Sequence, residues 1–199
     1  QLAEGKITNA GSQTEYFAVL ARESQRLRRL VEGLLNFGRM EAGAAQYRFE
    51  TIDPAELVLQ VTGEFTREGE RRHIQVHARH DAPLVRADRA ALACALWNLL
   101  DNAAKYSAES SPIEIDVERA DSGAAIRVRD RGQGIPPSEQ QRIFHKFVRG
   151  EAAMQAGIRG TGVGLAMVSH IVAAHNGEIK VESNPGEGSS FTLLLPAVN

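Results

Sequence analysis

Cysteine is almost absent from this sequence, since Cys94 is the only one among 199 residues. A single thiol excludes an internal disulfide and any metal site built from several cysteines. Cys94 lies in an apolar run at residues 92–96, which has helical spacing. This pattern predicts a small buried residue of the core rather than a reactive group.

Long apolar runs and a strong net charge are also missing. No stretch approaches the roughly 18–20 apolar residues of a membrane-spanning helix, and no signal peptide is evident. The formal net charge of −2 provides no global basic field for nucleic-acid binding. These absences predict a soluble, cytosolic chain, and a first residue of Gln rather than Met indicates a fragment of a longer protein.

A long amphipathic helix is predicted for residues 12–42. Apolar side chains recur there every three or four residues, the spacing of a seam between helices, and further apolar residues widen the stripe as in a bundle. A lone helix cannot cover such a face, so we expect it to pair between subunits; packing against its own domain is the alternative. The seam consists of Phe17, Leu20, Ser24, Leu27, Val31 and Leu34, widened by Leu30, Leu35 and Phe37.

From residue 45 onward, strand and helix patterns alternate. Alternation predicts strands at residues 47–52, 74–78, 84–87, 113–119, 124–130, 178–183 and 190–195. Asp53 and Asp88 are predicted N-caps of two helices. Gly177 is predicted as the C′ residue that ends the last helix.

One predicted helix carries a polar stripe. Asn98, Asn102 and Lys105 fall at i, i+4 and i+7, so they share one face. Asparagine is unfavourable inside a helix, and a merely solvated face would more often carry Glu, Lys or Arg. The stripe therefore favours a functional site over a solvated surface.

Two glycine-spaced loops follow the stripe along the chain. Asp130 ends a predicted strand and precedes Gly132 and Gly134, which places a carboxylate beside a tight loop. Residues 157–164 hold four glycines and run into a helix, whose free amides and dipole favour a phosphate. Such loops also form plain turns, so this stretch alone leaves both interpretations open.

In this order, the stretches resemble the catalytic ATP-binding domain of bacterial sensor histidine kinases, within the GHKL group of ATPases. Residues 98–107 resemble the N box, 130–135 the G1 box, 143–149 the F box, 160–165 the G2 box and 188–191 the last glycine motif. The helix at residues 12–42 is similar to the second helix of the family's dimerisation and histidine-phosphotransfer hairpin.

The resemblance implies a fold and a domain division. We expect an α/β two-layer sandwich, with a mixed, mostly antiparallel sheet and helices on one face, preceded by a long bundle helix. Residues 1–44 would form part of the dimerisation and phosphotransfer hairpin. Residues 45–199 would form the catalytic ATP-binding domain.

The resemblance also implies ATP and Mg²⁺ as cofactors and assigns roles to single residues. Asp130 would accept a hydrogen bond from the adenine amino group, and Asn102 would ligate Mg²⁺. Asn98 would contact the phosphate and metal region, and Arg149 would approach the γ-phosphate when residues 150–160 close as a lid. Lys105 and Tyr106 would contact phosphates, so that Asn98, Lys105 and Arg149 form the catalytic set. The further nucleotide-binding positions are Gly132, Gly134, Ile135, Gly160, Thr161, Gly162, Val163, Gly164 and Leu165.

Position 98 bears on the reaction. The GHKL enzymes that hydrolyse ATP carry a glutamate where Asn98 stands, and an amide cannot act as a general base near neutral pH. Transfer to a protein acceptor is therefore expected rather than hydrolysis.

The family's phospho-accepting histidine motif is missing from this sequence. The six histidines are predicted to be surface or core residues, namely His73, His77, His80, His145, His170 and His175. We expect the acceptor upstream of Gln1, so that this chain binds Mg-ATP without phosphorylating itself.

The expected function is that of an ATP-dependent protein-histidine kinase in a two-component system. Its expected partners are a second copy, through the helical hairpin, and the receiver domain of a response regulator; no nucleic acid is expected. A membrane would be contacted only through upstream parts of the parent protein. Two alternatives are a degenerate nucleotide-binding module that signals by dimerisation and a serine-directed GHKL kinase.

Overall fold

The computed structural model describes residues 17, 20, 24, 31, 33, 35, 38–40, 42–68, 72–78, 81–150, 154, 157–158 and 160–198. The chain divides into two compact units, Gln1–Ala45 and Gln46–Asn199.

In the first unit, the described residues up to residue 40 are helical. Four apolar side chains of the predicted seam stripe are more than half exposed: Phe17, Leu20, Val31 and Leu35. Leu27, Leu30, Leu34 and Phe37 lie outside the described residues.

The second unit is built on a five-stranded mixed sheet. In spatial order its strands are β2 (Ile74–Ala78), β4 (Ile113–Ala120), β5 (Gly123–Asp130), β7 (Gly188–Pro196) and β6 (Glu178–Asn184). Only β2 and β4 are parallel, and the other neighbours are antiparallel. A separate two-stranded antiparallel sheet joins β1 (Glu50–Ile52) to β3 (Val85–Ala87).

Helices cover one face of this sheet. They are α1 (Pro54–Arg67), α2 (Arg89–Tyr106), the short α3 (Pro137–Gln140) and α4 (Gly164–Ala174), and a 3₁₀ turn spans Arg142–Phe144. Asp53 and Asp88 cap α1 and α2 as predicted, each accepting a hydrogen bond from a backbone amide two or three residues on. The predicted two-layer α/β fold with a mostly antiparallel sheet is confirmed.

Alternation along β4 and β5 explains why one face of the sheet carries the helices. Ile126 and Val128 of β5 are buried and Asp130 continues their phase, so its carboxylate lies on the helix-covered face. The opposite phase carries Arg127 and Arg129, which form ion pairs with β4 carboxylates at 3.1 and 3.2 Å. These paired charges keep the uncovered face hydrated.

The predicted strand at residues 47–52 is shorter than expected. Only Glu50–Ile52 pairs as a strand, because the Arg48 amide donates to the Asp88 carboxylate at 2.7 Å. The rings of Tyr47 and Phe49 instead pack against His175, with centroids 5.5 and 5.0 Å away. His175 is 2% exposed, so it is one of the predicted core histidines.

Two smaller predictions were wrong. The left-handed residue that ends α4 is Asn176, with φ of 54°, and Gly177 is the next residue, whose amide bonds the Val172 carbonyl. Cys94 is half-buried rather than fully buried. In the described part of the chain, no helix combines the length and apolarity needed to cross a membrane.

Candidate functional site

The polar stripe lies on the half-buried face of α2. The Asn98 side-chain amide donates from Nδ2 to the Cys94 carbonyl at 2.8 Å, which orients its Oδ1 the other way. A Cβ built on Gly164 would lie 2.9 Å from that Oδ1. The amide oxygen of Asn98 therefore faces the first residue of α4.

The start of α4 is suited to an anion. Val163 occupies the N-cap position, and within the described chain no side chain caps the helix there. Uncapped first-turn amides and the positive end of the helix dipole both favour negative charge. Asn98 and α4 thus present a polar oxygen and free amides side by side.

Asn102 and Lys105 continue the stripe toward the end of α2. Both side chains are half-buried. The Lys105 ammonium group forms an ion pair with Asp101, one turn earlier on the helix. Asn102 lies one helical turn after Asn98, so its amide is on the same face.

Asp130 is a buried carboxylate at the end of a central strand. Its side chain belongs to a residue that is 8% exposed, and its Oδ1 accepts a hydrogen bond from the Gly132 amide at 2.8 Å. Burial raises the pKa of Asp130 above its ordinary 3.8, and the backbone amides of Gly132 and Ser189 counteract this rise. A desolvated carboxylate at the edge of a loop is a candidate ligand-binding group.

The loop after Asp130 is held between α2 and the β6–β7 turn. Gly132 pairs with Ser107 in an isolated bridge, and the Gln133 amide donates to the Tyr106 carbonyl at 3.3 Å. Gly134 is buried, and a Cβ there would lie 1.9 Å from the Asn184 carbonyl oxygen. The structure therefore places the predicted G1 loop directly beside the end of the predicted N box.

Both ends of the predicted lid converge. The Phe147 amide donates to the Gly162 carbonyl at 2.9 Å, and the Arg149 guanidinium donates to the Ile158 carbonyl. Thr161 and Gly160 are exposed, while Val163 is buried and Leu165 is half-buried. Within the lid, residues 151–153, 155, 156 and 159 lie outside the described residues.

Arg149 connects the lid to the end of α2. Burial raises the pKa of the Tyr106 phenol, the positive charge of Arg149 opposes this rise, and Asp101 adds to it. The Nε of Arg149 is buried and has no hydrogen-bond partner among the described residues. A buried guanidinium nitrogen without an acceptor fits an anionic ligand.

The residues present fit a nucleotide with a bound magnesium ion. Asn98 and Asn102 supply neutral oxygens, which are ligands that Mg²⁺ accepts alongside phosphates and water. The uncapped start of α4 and the Arg149 nitrogen fit phosphates, and the Asp130 carboxylate fits a hydrogen-bond donor on a base. In the described chain, no three His, Cys, Asp or Glu side chains form a metal-binding group.

Two residues that make hydrogen bonds to the loop after Asp130, Ser183 and Gln140, were not predicted from the sequence. Ser183 accepts a hydrogen bond from the Ile135 amide at 2.8 Å, and the Gln140 side chain donates to the carbonyls of Ile135 and Ser183. The strand β6 contained the signal for Ser183. Its half-buried phase runs Ile179, Val181, Ser183, and a serine in an apolar phase indicates a polar function.

A second concave surface lies elsewhere on the unit. A groove of about 410 Å³ runs between α1 and β2 and is mostly apolar. It shares no residue with the predicted site. The lining residues are Leu59, Thr62, Gly63, Thr66, Arg67, Ile74 and Val76.

Comparison with known proteins identifies close relatives of this architecture. A family model described as histidine kinase-, DNA gyrase B-, and HSP90-like ATPase matches residues 87–199. The chain is 37% identical over 179 residues to the sensor-like histidine kinase SenX3 of Mycobacterium tuberculosis, covering 88% of this chain and 43% of SenX3. It is 33% identical over 186 residues to the alginate biosynthesis sensor protein KinB of Pseudomonas aeruginosa, covering 92% of this chain and 31% of KinB. The chain therefore spans less than half the length of these relatives.

A solved structure shows the same fold. Full-length ShkA in complex with AMPPNP matches with a TM-score of 0.74 and 27% identity, covering 98% of this chain and 42% of ShkA.

The raised pKa of Asp130 predicts a pH-dependent stability difference between the wild type and Asp130→Asn. Because the folded state holds the proton more tightly, the wild type loses stability as pH rises from the ordinary pKa of 3.8 through the raised folded value. Asparagine does not titrate. We expect the variant's free energy of unfolding to rise relative to the wild type across this window and then to stay level.

Urea denaturation at a series of pH values measures this difference. Asp121→Asn, which neutralises an exposed carboxylate in the β4–β5 turn, controls for the loss of one charge. If the free energy of unfolding of Asp130→Asn relative to the wild type stays flat with pH, or falls as pH rises, the pKa of Asp130 is not raised by folding.

Proposed function

This chain belongs to the histidine kinase-, DNA gyrase B-, and HSP90-like ATPase family, with a catalytic domain of the sensor histidine kinase type, and we propose that it is the catalytic part of an ATP-dependent protein-histidine kinase in a two-component system. The observation that carries this proposal is Asn98, whose amide oxygen faces the uncapped start of α4. An amide at that place can bind phosphate and metal but cannot activate water as a base. The site therefore favours phosphoryl transfer over hydrolysis.

ATP binding begins with the base. The buried Asp130 carboxylate accepts a hydrogen bond from the exocyclic amino group of adenine, which selects adenine over guanine. Gly132, Gly134 and Ile135 bring the backbone of the loop against the ring. This assignment is supported by the burial of Asp130 and by the amides that hold its carboxylate in place.

The triphosphate lies between α2 and α4. Asn102 would hold Mg²⁺, Asn98 would contact the phosphates and the metal region, and Lys105 and Tyr106 would contact phosphates. When bound, the ion would neutralise negative charge on the phosphates. The glycine loop and the start of α4, from Gly160 to Leu165, would supply backbone amides to the same group.

Arg149 acts at the γ-phosphate. The paired ends of the lid, held by Phe147 and Gly162, bring its guanidinium toward the end of α2. Closure of the lid excludes water and places positive charge on the transferring group. This role is supported by the Nε of Arg149, which is buried and has no hydrogen-bond partner among the described residues.

The phosphate acceptor is a histidine in a part of the protein outside this sequence. The phosphoryl group then passes to an aspartate of a response regulator that docks on the helical hairpin. The exposed apolar side chains of the first unit support pairing with a second copy there. Sensing and membrane attachment belong to the rest of the protein, consistent with relatives that are more than twice as long and are named sensor proteins.

A histidine-phosphorylation assay on the full-length protein tests this function. With γ-labelled ATP and Mg²⁺, label should appear in the protein, be lost in acid and survive in base. The 199-residue chain alone should bind ATP and take up no label. Asn98→Ala should reduce labelling by about 100-fold, the order of effect seen when one electrostatic contact to a reacting group is lost.

Gln60→Ala is the control, since it removes an exposed amide on α1. Acid-stable label, or ATP turnover as fast as a true ATPase with no phosphoprotein formed, would overturn the proposal.

Gly164 offers a second test, of nucleotide binding alone. In Gly164→Ala the new Cβ would lie 2.9 Å from the Asn98 Oδ1 and would displace it. We expect affinity for Mg-ATP to fall about tenfold, the effect of roughly 1.4 kcal/mol of overpacking. Gly63→Ala on α1 is the matched control, because no heavy atom of the described residues lies within 4 Å of its Cβ position and it is not one of the predicted site residues. Isothermal titration calorimetry should separate the two variants, and equal affinities would refute the placement of Asn98.

A further inference from the structure

Three polar residues form one row across the end of the sheet. In the strand register, Asp130 of β5 pairs with Ser189 of β7, and Ser189 pairs with Ser183 of β6. The adjacent row is apolar and consists of Val128, Phe191 and Val181. The covered face of the sheet therefore changes from apolar to polar where Asp130 stands.

The Ser183 hydroxyl is the most highly connected group in this row. It accepts a hydrogen bond from the Ile135 amide at 2.8 Å and donates to the Gly188 carbonyl at 2.7 Å. Its oxygen also lies 3.1 Å from the Ser189 hydroxyl. One hydroxyl therefore links the end of the loop that follows Asp130 to the strand beside Asp130.

The bond to Gly188 bears on the Asp130 carboxylate. The peptide unit whose carbonyl accepts from Ser183 has as its N–H the Ser189 amide, and Ser189 is the strand partner of Asp130. A peptide unit is planar, so a hydrogen bond that orients its carbonyl also orients its N–H. Gly188 has φ of 90°, and a Cβ there would lie 2.1 Å from the Asp130 carbonyl oxygen, so this peptide lies directly against Asp130.

Two further donors hold the same end of the loop. Gln140 donates from Nε2 to the Ile135 carbonyl at 3.0 Å and to the Ser183 carbonyl at 2.7 Å. The Gly186 amide donates to the Gln133 carbonyl at 2.8 Å. The loop at residues 130–135 is thus anchored to β6 and its turn, with Ser183 at the junction.

We propose that Ser183 is a positioning residue for base recognition, which orients the Asp130 carboxylate toward the amino group of adenine and so determines selectivity for adenine nucleotides. This rests on the proposed nucleotide-binding function. Ser183 acts through the Gly188–Ser189 peptide and the Ile135 amide. Recognition of this kind requires the carboxylate to be held within about 0.5 Å of its productive place.

The test compares two ligands that differ only in the group that Asp130 recognises. ADP and purine riboside 5′-diphosphate, which lacks the 6-amino group, are titrated with Mg²⁺ into the wild type and Ser183→Ala by calorimetry. We expect Ser183→Ala to weaken ADP binding about five- to tenfold, as for the loss of one or two hydrogen bonds. Binding of the analogue should change less than twofold, so the preference for ADP should fall.

Two further variants distinguish positioning from packing. Ser183→Thr keeps the hydroxyl and should restore the preference for ADP. Ser190→Ala removes a neighbouring buried hydroxyl that has no hydrogen-bond partner among the described residues, and should leave the preference unchanged. Thermal unfolding of each variant measures stability separately from selectivity.

Several outcomes would overturn the inference. If Ser183→Ala weakens both ligands equally, or lowers only the unfolding temperature, Ser183 is a packing residue. If Ser183→Thr fails to restore the preference for ADP over the analogue, the Ser183 hydroxyl does not determine that preference. If the wild type binds ADP no better than the analogue, recognition by Asp130 fails as well, and if it binds neither ligand the nucleotide-binding function itself fails.

Discussion

The central constraint on this structure is the burial of the Asp130 carboxylate at the end of β5. Removing an ionised carboxylate from water is unfavourable unless hydrogen-bond donors replace the solvent. Here the Gly132 amide in the following loop donates to the carboxylate, and the Ser189 amide on the neighbouring strand also favours its charged form. Strand pairing fixes the position of Ser189, and the glycine-rich loop fixes that of Gly132. The sheet therefore makes a buried carboxylate tolerable, and this carboxylate makes the end of β5 a candidate binding site.

The other parts of the candidate site are brought to the end of β5 mainly by backbone contacts. The loop after Asp130 lies against the end of α2 at Tyr106 and Ser107, and α2 meets α4 where Asn98 approaches Gly164. Phe147 and Gly162 join the two ends of the lid. Each contact needs either a glycine or a backbone amide, which is why the chemistry of the site is spread over separate short motifs. Side chains that act on a ligand then need only project from positions that the backbone has already determined.

Much of this was predictable from the sequence because the signals were local. Alternation in β5, the N-cap acids Asp53 and Asp88 and the asparagine stripe of α2 each depend on residues close together in the chain. Most of the failures involve contacts distant in sequence. Tyr47 and Phe49 lie in a stretch that alternates like a strand, but their rings pack against His175. The Asp88 carboxylate accepts a hydrogen bond from the Arg48 amide. Ser183 looked like an ordinary strand end, since its partners Ile135 and Gly188 meet it only after the sheet has formed. Asn176 took the left-handed position expected for Gly177, because asparagine also tolerates positive φ.

Amide chemical-shift mapping would show directly whether an adenine nucleotide binds beside the buried Asp130 carboxylate. A ¹⁵N-labelled sample of this chain would be titrated with Mg-ADP and followed by two-dimensional NMR. Nucleotide binding beside Asp130 predicts saturable shifts concentrated in residues 98–107, 130–135 and 160–165, with the largest changes beside Asp130 and at the start of α4. An absence of saturable shifts, or shifts confined to the groove between α1 and β2 at Leu59, Ile74 and Val76, would contradict it.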